Sequence, residues 1–152
     1  MSDVASIDGL YQELILDHNR APRNRRALEP CTHHARRRNP VCGDVVEIFL
    51  HAPQERVVEA SFLGESCAIC TASASLLTEL VPRLGVEQAR ELAEAFHTRI
   101  HRPTAEDAAA PMDLGDLSVL LEVRHFPGRE RCATLPWETL LAALEPPSGA
   151  QD

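Results

Sequence analysis

Three cysteines set in separate motifs constrain this chain more than any other feature. Cys42 lies in Asn39-Pro40-Val41-Cys42-Gly43-Asp44, Cys67 in Gly64-Glu65-Ser66-Cys67-Ala68-Ile69, and Cys132 in Arg131-Cys132-Ala133-Thr134-Leu135-Pro136-Trp137. Thiolates are soft ligands that select zinc and iron–sulfur clusters, and both take tetrahedral sites. With the carboxylate of Asp44 the three thiols make a four-donor set for either. The donors are distant in sequence, so only a fold that returns the chain twice to the same place can join them.

The cysteine count is five. An odd number at wide spacing argues against a disulfide framework and for metal or thiol chemistry in a reducing compartment. Met1-Ser2-Asp3-Val4 lacks the basic-then-apolar layout of a signal peptide, and no apolar run reaches membrane-spanning length. A cytoplasmic location and no membrane association are therefore expected. A net charge of −8 argues against general binding of nucleic acid. Arginines at 20, 23, 25, 26 and 36–38 suit a solvated surface or a docking patch for an acidic partner. The chain has no lysine, which excludes Schiff-base chemistry by its own side chains and a phosphate loop of the Walker kind.

At 152 residues, 44% of them hydrophobic, the chain has material for one compact domain. Ile7, Leu10, Tyr11, Leu14, Ile15 and His18 recur at helical spacing and predict a helix over Asp8–Asn19. Residues 21–41 read as a polar, basic loop with one short strand. Val45–His51 and Arg56–Leu63 predict an antiparallel hairpin. In it Val46, Ile48 and Leu50 share a face with Val58, Ala60 and Phe62. Helices are expected over Cys67–Val81, Val86–Ile100 and Asp116–Arg124, with an exposed loop at 102–115. A last helix should begin near Pro136, a residue tolerated in a first turn. The expected class is α+β, a small antiparallel sheet of about three strands packed with several helices. Residues 1–144 would form the domain and 145–152 a disordered tail.

Local context sharpens the cysteine reading. In extended backbone Cys42 and Asp44 would point the same way, with Gly43 letting the chain approach an ion. Cys67 opens one predicted helix and Cys132 precedes another, and the positive end of a helix favours thiolate. Cys31 has the context of a packed or surface thiol. Cys70 creates Cys67-Ala68-Ile69-Cys70, which leaves a thiol–disulfide oxidoreductase as a remote alternative, although no βαβ pattern accompanies it. A purely structural zinc domain would use the same donors. Among the histidines, His33 and His34 fall in the polar loop, and His125 precedes another. His97 and His101 stand one helical turn apart without an H-E-x-x-H context, and a surface role is expected for them.

The chain resembles the U-type iron–sulfur assembly proteins, and within them the SufU branch. The segments that carry the likeness are Tyr11-Gln12-Glu13-Leu14-Ile15-Leu16-Asp17-His18, Pro22-Arg23-Asn24-Arg25, the Cys42 motif through Asp44, Cys67-Ala68-Ile69 with Ala72-Ser73-Ala74-Ser75, Leu114-Gly115-Asp116-Leu117, and Phe126-Pro127-Gly128-Arg129 through Trp137. The likeness spans roughly residues 8–144. Cluster scaffolds of the IscU type carry histidine immediately before the last cysteine, where this chain has Arg131, and residues 102–115 fit an insertion typical of the SufU branch. Cys70 departs from the family pattern. The resemblance implies a zinc site at Cys42, Asp44, Cys67 and Cys132. It further implies a SufS-type cysteine desulfurase as partner and Cys42 as acceptor of its sulfane sulfur, with downstream Suf scaffold proteins as further partners. Assembly of an iron–sulfur cluster on the same ligands is the alternative.

Overall fold

The structure, a computed structural model, describes residues 13–102, 117, 119–121, 123 and 128–145. Three strands, β1 (His33–Arg38), β2 (Val45–His51) and β3 (Glu59–Glu65), form an antiparallel sheet in the order β1-β2-β3. Residues 13–20 form helix α1. Helices α2 (Ala68–Leu80), α3 (Val86–His101) and α4 (Glu130–Leu144) follow the sheet. This is the expected α+β class. Among the described residues no helix is long and apolar enough to cross a membrane.

Apolar residues at alternate positions explain β2: Val46, Ile48 and Leu50 are fully buried on one face. Opposite them the register sets Gly64, Phe62 and Ala60. Val58 does not join that face. The chain bends between Val57, which is fully buried, and β3, which starts at Glu59, so Val58 is left 60% exposed. Backbone bonds from Arg83 N–H to the Val57 carbonyl and from Val57 N–H to the Leu84 carbonyl tie the bend to the turn after α2. Gly64 has no room for a side chain, since a Cβ there would lie 2.3 Å from the Val45 carbonyl oxygen. His33 and His34 stand on β1 rather than in a loop.

Helix α2 is buried on nearly every side from Cys70 to Thr78. Its small Ala and Ser residues let neighbours approach closely, and its hydroxyls bind α1 and the segment after it. Ser75 Oγ meets His18 Nδ1 at 2.6 Å and accepts the Arg23 N–H, while Thr78 Oγ1 accepts from Asn24 Nδ2. Helix α4 packs against α2, α3, β1 and β2 and is the hub of the fold. Trp137 on α4 is fully buried, with its ring 5.8 Å from that of Phe96.

The start of α4 corrects an expectation. The helix begins at Glu130, and Pro136 lies inside it. An interior proline lacks the N–H that would bond the carbonyl four residues back, here Cys132. The helix persists because its buried face, from Cys132 to Leu144, is apolar almost throughout and tertiary packing overrides local propensity. In the predicted helix at 116–124, the described positions 117, 119–121 and 123 have the tighter 3₁₀ geometry, with Leu117, Leu120 and Val123 fully buried. The expected loop beyond Arg102 and the tail beyond Glu145 lie outside the described residues, as does the expected start of α1 at Asp8.

Candidate metal centre

The connection from β1 to β2 is a tight hairpin. Asn39 closes it: its N–H donates to the Asp44 carbonyl at 2.8 Å, its carbonyl accepts from Gly43 N–H at 2.7 Å, and its side-chain oxygen accepts from Val41 N–H at 3.0 Å. Gly43 adopts φ +83°, a left-handed turn that replaces the extended backbone expected there. The turn lifts Cys42 into solvent and folds Asp44 inward, where it is buried.

Cys67 caps α2. Its Sγ accepts the Cys70 N–H at 3.4 Å, and its own N–H donates to Asp44 Oδ1 at 3.1 Å. The helix start thus holds the Asp44 carboxylate directly. The second oxygen, Asp44 Oδ2, is buried with no hydrogen-bond partner among the described residues. A buried carboxylate oxygen without a donor is costly, and a cation beside it would offset that cost.

Cys132 lies in the first turn of α4, buried, and not ahead of the helix as expected. A thiol sulfur of Cys42, a carboxylate oxygen of Asp44 and the thiol sulfur of Cys132 lie within 4.8 Å of one another. Cys67 is not one of that trio, but its backbone N–H holds the Asp44 carboxylate and its thiol lies near enough to Cys132 to act on it. Two residues of the β1–β2 connection and the first turn of α4 therefore converge, with the start of α2 beside them. Burial, then the Cys67 thiol, then the negative groups of the cluster push the Cys132 thiol up to about 12. The position in the first helical turn does not offset this, contrary to the thiolate expected from the helix dipole. A divalent cation would reverse the balance, because it favours thiolate and carboxylate together.

The other thiols separate cleanly. Cys31 is exposed in the loop before β1. Cys70 is fully buried in the core, and that burial, more than any other cause, drives its thiol upward. A redox partner for Cys67 would need an accessible thiol, which Cys70 does not offer.

A buried hydroxyl fixes the angle at which α4 presents Cys132. Ser73 Oγ, at the centre of α2, donates to the Ala133 carbonyl at 2.6 Å and accepts from Trp137 Nε1 at 3.1 Å. Both Ser73 and Trp137 fall in segments that carry the family likeness, but sequence gives no sign that they bond each other.

The comparisons with known proteins bear on the same residues. The NifU-like N-terminal domain matches over residues 10–134, a span that includes all four donors. This chain belongs to that family. It is 35% identical over 140 residues to a zinc-dependent sulfurtransferase, SufU, of Bacillus subtilis, covering 92% of each chain. It is 29% identical to an iron–sulfur cluster assembly scaffold protein, IscU, of Streptococcus pyogenes, over 97% of this chain and 91% of that one. A solved NifU-like N-terminal structure from Brucella abortus superposes with a TM-score of 0.76 at 20% identity, covering 91% of this chain and 94% of the other, a likeness of fold.

Proposed function

We propose that this protein is a zinc-dependent acceptor of sulfane sulfur, taking it from a SufS-type cysteine desulfurase for iron–sulfur cluster assembly. The observation that carries the reading is the approach of Cys42, Asp44 and Cys132 to within 4.8 Å beside the Cys67 thiol. The four donors fit zinc, and the unpartnered Asp44 Oδ2 supplies a ready ligand atom. Cys42, Asp44, Cys67 and Cys132 would hold the ion, which when bound keeps the thiols deprotonated and out of disulfides.

Exposure separates the roles of the thiols. Cys42 is exposed at the hairpin tip, Cys67 is half-buried and Cys132 is buried. Of the three thiols at the site, Cys42 is the one most open to a persulfide carried on another protein. Its thiolate attacks the outer sulfur of the donor's persulfide, the donor's S–S bond breaks, and the donor cysteine leaves as thiolate. Cys42 then carries the persulfide, with no net oxidation or reduction. Val41, next to Cys42 and 84% exposed, offers an apolar contact beside the acceptor. Arg129 and Arg131 are exposed at the start of α4 and suit an anionic partner surface.

Desulfurase turnover with the purified partner tests the reading. Cys42→Ala, Cys67→Ala and Cys132→Ala should each abolish the stimulation, Cys31→Ala should retain it, and mass spectrometry should place the added sulfur on Cys42. A fully active Cys42→Ala protein eliminates the assignment. The second reading, a scaffold on which a cluster is built, draws on the Streptococcus pyogenes relative and uses the same donors. Arg131 in place of histidine weighs against it. Tight zinc and no cluster after anaerobic reconstitution would decide for sulfur transfer.

A further inference from the structure

The structure carries a second group of side chains able to ligate a metal, between α3 and α4. His97 and His101 stand one turn apart on α3, a spacing that places both rings on one face of the helix. Their ring centroids are 4.5 Å apart. Glu138, projecting from α4, reaches them: its Oε2 lies 3.0 Å from His97 Nε2. Thr134, one turn before Glu138, meets His101 Nε2 through its Oγ1 at 3.0 Å. One ring nitrogen from each histidine and one carboxylate oxygen of Glu138 all fall within 4.8 Å of one another.

We propose that His97, His101 and Glu138 form a second site for a first-row divalent transition cation, independent of the cysteine centre. Two imidazoles and a carboxylate make a borderline donor set that suits zinc, cobalt, nickel or ferrous iron and leaves positions open for water. Zinc–nitrogen and zinc–oxygen bonds of about 2.0–2.2 Å put neighbouring ligand atoms roughly 3.3 Å apart. The present separations need only small side-chain movements to reach that. His97 and Glu138 are each about one-third exposed, at 38% and 31% of the side chain, so an ion can enter and still be partly desolvated. A cleft of about 240 Å³, lined by Glu94, His97, Thr98 and Glu138, opens beside the pair, with Arg37 on its wall. A hydrated cation can approach through it.

Such an ion would join α3 to α4 by coordination. Glu138 lies six residues beyond Cys132 on α4, about 9 Å along the helix at 1.5 Å per residue. An ion here would therefore hold the same helix that presents Cys132 to the cysteine centre. The ion-free contacts already favour the arrangement, since Thr134 Oγ1 also lies 3.4 Å from Glu138 Oε2 and ties the carboxylate to the His101 side of the cluster.

The test is titration of cobalt(II) into full-length protein whose cysteine centre has been filled with one equivalent of zinc. One further equivalent of cobalt should bind, with visible ligand-field absorption but no thiolate charge-transfer band. His97→Gln, His101→Gln and Glu138→Gln should each weaken it by more than about tenfold, and His33→Gln/His34→Gln should leave it unchanged. The same titration on Cys42→Ala protein should show the same equivalent, which separates this site from the cysteine centre. Thermal melts without metal check that the variants fold. Absence of a second equivalent overturns the proposal. So does a second equivalent that brings a thiolate band or survives in the His97→Gln/His101→Gln double variant.

Discussion

Ser73→Ala tests whether the buried hydroxyl between α2 and α4 holds the helix that carries Cys132. The hydroxyl is fully buried and makes two bonds, accepting from Trp137 Nε1 at 3.1 Å and donating to the Ala133 carbonyl at 2.6 Å. Ala133 keeps the N–H of its own helix as partner, but the indole N–H is left buried without an acceptor. That omission costs about 1–3 kcal/mol. Alanine is the better helix former and offsets up to about 0.7 kcal/mol of it. The net loss should be about 0.3–3 kcal/mol, which for a chain of this size lowers Tm by about 1–12 °C. Urea denaturation of reduced, metal-free protein followed by circular dichroism measures it. Trp137→Phe removes the donor, so Ser73→Ala should be milder in that background, with a coupling of about 1 kcal/mol between the two sites. Zinc affinity should fall alongside stability, because a loosened α4 no longer presents Cys132 at a fixed distance. Strict additivity of the two substitutions, or a Ser73→Ala loss below about 0.3 kcal/mol, would refute the reasoning.

Thiol alkylation of the metal-free protein, read by mass spectrometry, should modify Cys31 and Cys42 first and spare Cys70 and Cys132 while the fold holds. Because the folded state raises Cys132 from 9.0 to about 12, its stabilising effect is complete below pH 9 and is lost as pH rises towards 12. The metal-free protein should accordingly weaken through that window, whereas rapid alkylation of Cys132 at neutral pH would contradict its placement. Gly64→Ala should disrupt pairing of β2 with β3, since the new Cβ meets backbone 2.3 Å away and no rotamer relieves it. A melting temperature equal to that of the parent chain would show that the strands part without penalty.

The sequence made the sheet legible where alternation was strong and lost it where a bend intervened. Val46, Ile48 and Leu50 announced a buried face of β2, and the structure pairs them as read, but Val58 obeyed the same alternation and still points outward. Nothing local distinguishes it from Val57; the turn at Arg83 and Leu84 makes the choice, and that contact is tertiary. Pro136 misled for a related reason. Proline is a strong local signal for a first turn, yet packing around Trp137 extends the helix back to Glu130. The candidate donors stood out in the sequence because each cysteine carries its own motif. Glu138 was not, because a carboxylate on an amphipathic helix looks like surface charge until α3 is laid against it, and the histidine pair at 97 and 101 gave only half of that cluster. The Ser73 hydroxyl bond was hidden for the same reason, since hydroxyls on a buried helix reveal their partners only in three dimensions.

Under the proposed function, the cysteine cluster would couple the fold to a bound cation in a definite direction. Without a cation, the structure buries a carboxylate oxygen that no donor reaches and a thiol held protonated to about pH 12. Both features oppose folding or ionisation when the site is alone, and both reverse when a divalent charge arrives. Binding at neutral pH must therefore expel protons from the thiols, so apparent affinity rises with pH and the ion stabilises the fold it enters. Cys42 stands apart in this scheme. It reaches the cluster from the exposed part of the hairpin, whereas Asp44 is tied to the start of α2 by the Cys67 N–H and Cys132 is buried in the first turn of α4. Under the proposed function, the donor that the fold exposes most is the one that an incoming persulfide would reach.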